Sequence, residues 1–143
     1  MFRALSFSIF RTEDCHRAVR KEILQHMQTV WDEEPRLRLL AALKYQEKTG
    51  RQRHVRPSEL TISFDDYVDA TNMDLPYTWG GSTELEAAAL WLKTLIKVFH
   101  HGNPKFPPKS WITYGTQPEY HNTYTLLLQW TNGDHYDYVN KLV

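Results

Sequence analysis

The chain has very little cysteine. Cys15 is the single cysteine among 143 residues. One thiol cannot form a disulfide within the chain, and it cannot supply the paired cysteines of common structural zinc sites. Sparse cysteine is typical of a reducing compartment, so we expect an intracellular, cytoplasmic protein.

Excess charge and long apolar runs are also missing. Seventeen Lys and Arg residues balance seventeen Asp and Glu residues. Without a basic excess there is no electrostatic signature of binding to nucleic acid or to an anionic membrane. The longest apolar runs, such as residues 87–92, are far shorter than a membrane span, and the first residues do not form a secretory signal. We therefore expect neither nucleic acid nor a membrane as a partner.

Apolar and aromatic residues are abundant, at 41% and 13%. This composition and the chain length predict one globular domain over residues 1–143. Helical patterns cover the first two thirds of the chain: residues 1–10, about 12–28, 31–45, 64–73, and a helix whose start is marked by the capping-box spacing of Thr83 and Glu86. Strand patterns cover the last third: residues 95–99, 111–114, 124–130, and a returning strand after Asn132-Gly133. Loops are predicted at 47–58, 102–108 and 115–122. This order predicts an α+β or three-layer α/β domain with a small, mostly antiparallel sheet.

The second predicted helix carries Cys15 in an apolar stripe. Val19, Ile23 and Met27 follow it at four-residue intervals, while Arg17 and Arg20 are expected to be mostly solvated. Two interpretations of Cys15 are open. A thiol near a helix N-terminus can be a nucleophile, but a free cysteine in an apolar stripe is more often a small packing residue, and we favour packing.

The terminal hairpin carries the most suggestive polar pair. Its return strand places His135 and Asp137 on one face, because side chains alternate along a strand. A carboxylate in that position can orient a histidine that acts as a general base, although such a pair is also common in purely structural roles. The Asn132-Gly133 turn suits a two-residue type I′ hairpin.

Two other features allow a functional and a structural interpretation. The loop Trp79-Gly80-Gly81 could cover a ligand groove, or it could be only a tight entry into the following helix. The histidines at 100, 101, 121 and 135 are scattered over loops without cysteine partners, so we expect no metal and no cofactor.

Three blocks, in order and spacing, extend over nearly the whole chain. They are Phe2-Arg3-Ala4-Leu5-Ser6 with Thr12-Glu13-Asp14 and His16-x-x-Val19-Arg20; Trp79-Gly80-Gly81 with Glu84-Leu85-x-Ala87; and His135-Tyr136-Asp137-Tyr138-Val139. Together they resemble the OTU family of deubiquitinases, which are papain-like cysteine isopeptidases. The resemblance implies an OTU fold, ubiquitin or polyubiquitin as partner, His135 as the general base and Asp137 as the residue that orients it. Ubiquitin would lie across residues 35–73 and 79–84.

The first block departs from the family pattern. In the family it begins Asp-Gly-Asn-Cys, and the catalytic cysteine matches the position one residue before Met1. The chain opens directly in patterned, core-like sequence, so we expect it to be truncated just after that cysteine and to be inactive as given. Cys15 lies about fourteen residues past the required position and cannot replace it. Two alternatives stay open: a catalytically dead ubiquitin-binding or protein-interaction module, and an unrelated α+β protein in which His135 only packs.

Overall fold

The computed structural model describes residues 1–100, 110–115, 117, 119–120, 124–131 and 135–139. Within these residues, five α-helices precede four β-strands: α1 Phe2–Phe10, α2 His16–Val30, α3 Pro35–Thr49, α4 Phe64–Thr71, α5 Ser82–Leu92, β1 Leu95–His100, β2 Ser110–Tyr114, β3 Thr125–Thr131 and β4 His135–Tyr138. Short 3₁₀ turns occur at Glu13–Cys15 and Pro57–Glu59. The predicted α+β architecture, with helices first and strands last, is confirmed.

Most predicted elements lie within a few residues of their observed bounds. Pro35 occupies the first turn of α3, where its missing N–H is not needed. The predicted loop at 47–58 is wrong for residues 47–49, because α3 continues to Thr49 and ends at Gly50 in the left-handed conformation. The predicted loop at 102–108 and the Asn132-Gly133 turn lie outside the described residues.

The sheet has the order β2-β1-β3-β4. β1 pairs antiparallel with β2 and parallel with β3, and β3 pairs antiparallel with β4. The expected terminal hairpin is present as the β3–β4 pair, with Thr131 opposite His135. The sheet is therefore mixed, with two antiparallel pairings and one parallel pairing.

Helix α5 connects the helical part to the sheet. It contacts α2 and α3 as well as β1 and β2, and every residue from Thr83 to Leu90 is buried. The core around it contains apolar side chains from most elements: Phe2, Leu5, Val19, Ile23, Met27, Leu37, Tyr67, Leu85, Ile96, Val98 and Leu128. Burial of this apolar surface is the main force that holds α2 and α3 against α5 and holds α5 against the sheet. Within the part of the chain that the structure describes, no helix is long and apolar enough to cross a membrane.

Candidate active site

His135 and Asp137 lie side by side at one end of the sheet. β4 places both side chains on the same face, and His135 Nε2 lies 2.8 Å from Asp137 Oδ1. Both are accessible, with side-chain exposures of 60% and 55%. The structure thus brings the two predicted residues into hydrogen-bonding contact. The carboxylate can fix the ring orientation and leave Nδ1 for proton exchange with another group.

A cavity of about 530 Å³ opens beside this pair. Its walls come from the first residues of α1, from α2, from the segment before α5, and from β4: Met1, Phe2, Arg3, Ala4, Phe7, Glu13, His16, Arg20, Pro76, Tyr77, Thr78, Trp79, Gly80, His135, Tyr136, Asp137 and Tyr138. The beginning of α1 therefore faces the same space as the histidine. Cys15, which is half-buried at the end of the first 3₁₀ turn, is not among the residues that line this cavity.

A second cavity of about 610 Å³ lies between α3, the start of α5 and the sheet. Trp79, Gly80 and Tyr136 line both cavities. The Trp79-Gly80-Gly81 segment thus borders a groove, as one of its two sequence interpretations required. Trp79 is 58% exposed and available for contact with a bound molecule.

Gly80 packs against the start of α1. A β-carbon at this position would lie 2.5 Å from Met1 Cε and 3.0 Å from Phe2 Cε2, closer than van der Waals contact allows. A larger residue here would require the flexible end of Met1 and the Phe2 ring to move. The loop and the first turn of α1 are therefore one packed unit.

The predicted capping box at Thr83 and Glu86 is wrong. Helix α5 begins two residues earlier, with Gly81 as its N-cap, and the Glu84 carboxylate accepts a hydrogen bond of 3.3 Å from the Gly81 N–H. Thr83 and Glu86 are instead buried. The spacing rule identified the helix start but shifted it by two residues, because Gly81 has no side-chain oxygen to reveal its role.

Glu84 is a fully buried carboxylate that ties three segments together. Besides Gly81 it accepts a hydrogen bond of 2.7 Å from the Tyr67 hydroxyl on α4 and one of 3.4 Å from Lys44 Nζ on α3. Burial, with the negative charge of Glu84 next in importance, raises the pKa of Tyr67 well above its usual value. Tyr67 therefore stays a neutral hydrogen-bond donor throughout the physiological range.

Arg20 also lies at this candidate site, where the sequence did not predict it. We expected it to be solvated, but it is only 6% exposed, lines the His135 cavity and donates to three backbone carbonyls. The hydrogen bonds of Nη1 and Nη2 offset the cost of burying this arginine, although its Nε is buried without a hydrogen-bond partner among the described residues. One feature of the sequence did indicate its importance, since Arg20 belongs to the first of the three sequence blocks. The apolar stripe of the helix, by contrast, predicted a solvated side chain at this position.

The Met1 amino group is affected by the charges around the cavity. Burial, followed by the positive charge of Arg20, lowers the pKa of the Met1 amino group from 8.0 to about 6, while Asp137 acts in the opposite direction. The amino group is thus close enough to sense both Arg20 and Asp137. At neutral pH this part of the cavity disfavours a further positive charge.

The described residues contain no group of three or more His, Cys, Asp or Glu side chains that could hold a metal ion. His101 and His121 lie outside the described residues. His100 lines the second cavity, away from the His135–Asp137 pair, and its ring packs against Trp130 with centroids 4.8 Å apart.

No family model and no curated protein sequence matches the chain. Solved structures do match. An OTU domain of OTUD1 aligns with a TM-score of 0.55 and 20% identity over 96% of this chain and 75% of that chain. The viral OTU domain protease from Dera Ghazi Khan virus aligns with a TM-score of 0.60 and 18% identity over 97% of this chain and 74% of that chain. The viral OTU domain protease from Qalyub virus aligns with a TM-score of 0.59 and 22% identity over 96% of this chain and 74% of that chain. At these identities the similarity concerns the fold, and the chain has the fold of OTU domains.

Proposed function

We propose that this chain forms the base-bearing part of an OTU-like cysteine isopeptidase that removes ubiquitin from proteins. The observation that supports it most is the 2.8 Å contact between His135 Nε2 and Asp137 Oδ1, in a cavity that Met1 also lines. Two of the solved domains described above, which share this fold, are proteases. In this proposal His135 is the general base and Asp137 its orienting residue.

The reaction needs a cysteine thiol beside His135. His135 Nδ1 takes the thiol proton, and the thiolate attacks the isopeptide carbonyl carbon. The lysine amine then leaves with the proton from His135, and a thioester remains. Water, deprotonated by His135, cleaves that thioester and regenerates the thiol. Asp137 holds the imidazole ring and stabilises its protonated form in both halves.

The proposal places this thiol one residue ahead of Met1. Met1 lines the His135 cavity, whereas Cys15 does not. A nucleophile and its base act as a unit, so a chain without a correctly placed thiol loses most of its catalysis. We therefore propose that the 143-residue chain alone does not hydrolyse isopeptides.

The test adds Asp-Gly-Asn-Cys directly before Met1, in a Cys15→Ser background that leaves one thiol. A matched control adds Asp-Gly-Asn-Ser. We expect the first protein to release a fluorophore from a ubiquitin C-terminal conjugate and the second to be inactive, and His135→Ala to abolish the activity of the first. Two results would contradict the proposal: a folded extended protein that does not turn over the conjugate, or His135-dependent turnover by the 143-residue chain itself.

A second candidate function, a ubiquitin-binding module without catalysis, is supported by exposed apolar side chains around the second cavity. Leu43, Trp79 and Ile112 are 48%, 58% and 39% exposed and all line it. Exposed apolar side chains grouped around a groove are typical of protein-interaction sites. Titration of ubiquitin into isotopically labelled chain should shift the Trp79 indole resonance. A spectrum that stays unchanged up to millimolar ubiquitin would exclude this function.

A further inference from the structure

Arg20 connects two walls of the His135 cavity. It extends from α2, and its guanidinium carbon lies 4.1 Å from the centroid of the Phe2 ring in α1. A guanidinium over an aromatic face is attracted by the ring quadrupole and also packs against it. Arg20 therefore holds the residue that follows Met1.

The same guanidinium holds the segment that leads to Trp79. Nη1 donates to the Met73 carbonyl oxygen at 2.8 Å, and Nη2 donates to the carbonyl oxygens of Pro76 and Thr78 at 3.2 and 2.6 Å. These three carbonyls lie in the connection between α4 and α5. The planar fork of an arginine can reach several acceptors at once, which a lysine ammonium on a flexible stem does less well. One side chain thus fixes residues 73–78 relative to α1.

The charge of Arg20 is not neutralised by an ion pair. Among the described residues no carboxylate lies within ion-pairing distance of its guanidinium. Its hydrogen-bond acceptors are neutral carbonyls, and the carboxylates of Glu84 and Asp74 act on its charge from beyond ion-pairing distance. At the Met1 amino group, burial is the main cause of the lowered pKa, and the charge of Arg20 is the second.

We propose that Arg20 is a positioning residue of this site: it clamps residues 73–78 onto the first turn of α1, and it directs an unpaired positive charge at the position of the nucleophile. The proposal rests on the proposed function for the identity of that nucleophile. A cation at this place favours a thiolate over a thiol.

The first experiment uses the 143-residue chain. We would compare Arg20→Met, Arg20→Lys and the matched control Arg17→Met, which removes an exposed arginine from the same helix. NMR titration of the Met1 amino group measures the local charge directly. Arg20→Met should raise the pKa of this amino group, whereas Arg20→Lys and Arg17→Met should leave it near that of the parent chain.

The second experiment uses the Asp-Gly-Asn-Cys extension with Cys15→Ser. The rate of thiol alkylation by iodoacetamide is followed against pH, because only the thiolate reacts. Arg20→Met should move the midpoint of this profile to higher pH and lower the rate at neutral pH by roughly two- to tenfold. Arg20→Lys should restore the midpoint but still reduce kcat for the ubiquitin conjugate, since lysine supplies the charge without holding all three carbonyls.

The outcomes separate this proposal from the proposed function. If the extended parent does not cleave the conjugate but Arg20→Met still shifts both titrations, the isopeptidase function fails and the role of Arg20 stands. A folded Arg20→Met chain with unchanged Met1 and thiol titrations would overturn the role of Arg20. If Arg20→Met does not fold, Arg20→Lys tests the proposal instead. A kcat of the Arg20→Lys variant equal to that of the parent would show that Arg20 is not needed to hold residues 73–78 against α1.

Discussion

Gly80 and Met1 are in direct contact, and the contact leaves no room for a β-carbon on the glycine. This relationship joins the loop before α5 to the first turn of α1, at the wall of the cavity that His135 also lines. The shape of the site therefore depends on a glycine that takes no part in chemistry.

Gly80→Ala should destabilise the chain by about 0.5–1.5 kcal/mol, because the flexible end of Met1 can move aside but the buried Phe2 ring, 3.0 Å from the new methyl group, must also shift. Gly81→Ala is the matched control, since a β-carbon there meets only Lys44 Nζ, at 3.5 Å. Urea unfolding of both variants measures the difference in free energy. Equal losses at the two positions would contradict close packing as the reason for Gly80.

Tyr67→Phe should cost about 1–3 kcal/mol of unfolding free energy. The substitution removes the 2.7 Å hydrogen bond to Glu84 and leaves a fully buried carboxylate with one donor fewer. Tyr77→Phe removes the same hydroxyl from a residue that is 74% exposed and should change the stability little. Denaturation curves for the pair check the prediction, which is wrong if the two substitutions have the same effect.

Asp137→Asn in the Asp-Gly-Asn-Cys-extended chain should lower kcat on the order of 100-fold or more, because the amide no longer stabilises a protonated His135. Glu13→Gln is a suitable control: Glu13 is another carboxylate that lines the cavity. Steady-state hydrolysis of the ubiquitin conjugate measures both variants. If Glu13→Gln reduced kcat as much as Asp137→Asn, the orienting role of Asp137 would not hold.

Stability should increase between pH 6 and pH 8. Burial lowers the pKa of the Met1 amino group in the folded chain from 8.0 to about 6, so in this interval the unfolded chain binds more protons. Raising the pH then favours the folded state, by about 1–2 kcal/mol across the interval. Urea unfolding at pH 6, 7 and 8 measures the change, and an acetylated N-terminus should remove the part that Met1 contributes. An identical pH dependence in the acetylated chain would disprove the assignment to Met1.

Local patterns predicted what depends on local geometry. The period of strand β4 predicted that His135 and Asp137 share a face, and the apolar stripe of α2 predicted the burial of Val19, Ile23 and Met27. Arg20 could not be placed this way, because its burial depends on carbonyls more than fifty positions later in the chain.

The pairing of the strands could not be predicted from local sequence either. Parallel pairing of β1 with β3 follows from how the sheet assembles, and neither strand's own sequence specifies it. The capping-box assignment of Glu86 failed for a related reason: a charged residue near a helix start is usually solvated, and only tertiary contacts reveal that this carboxylate is buried.

The contact between α1 and β4 has a consequence for biosynthesis. Arg11 Nη1 donates to the Tyr138 hydroxyl at 2.9 Å across 127 positions of sequence, and Phe7 packs against the same ring. Contacts of such long range form late, since the intervening chain must be ordered first. A chain still emerging from the ribosome has α1 but not β4. The cavity beside His135 therefore forms only after β4 has been synthesised, so a chain that ends before β4 carries no assembled site.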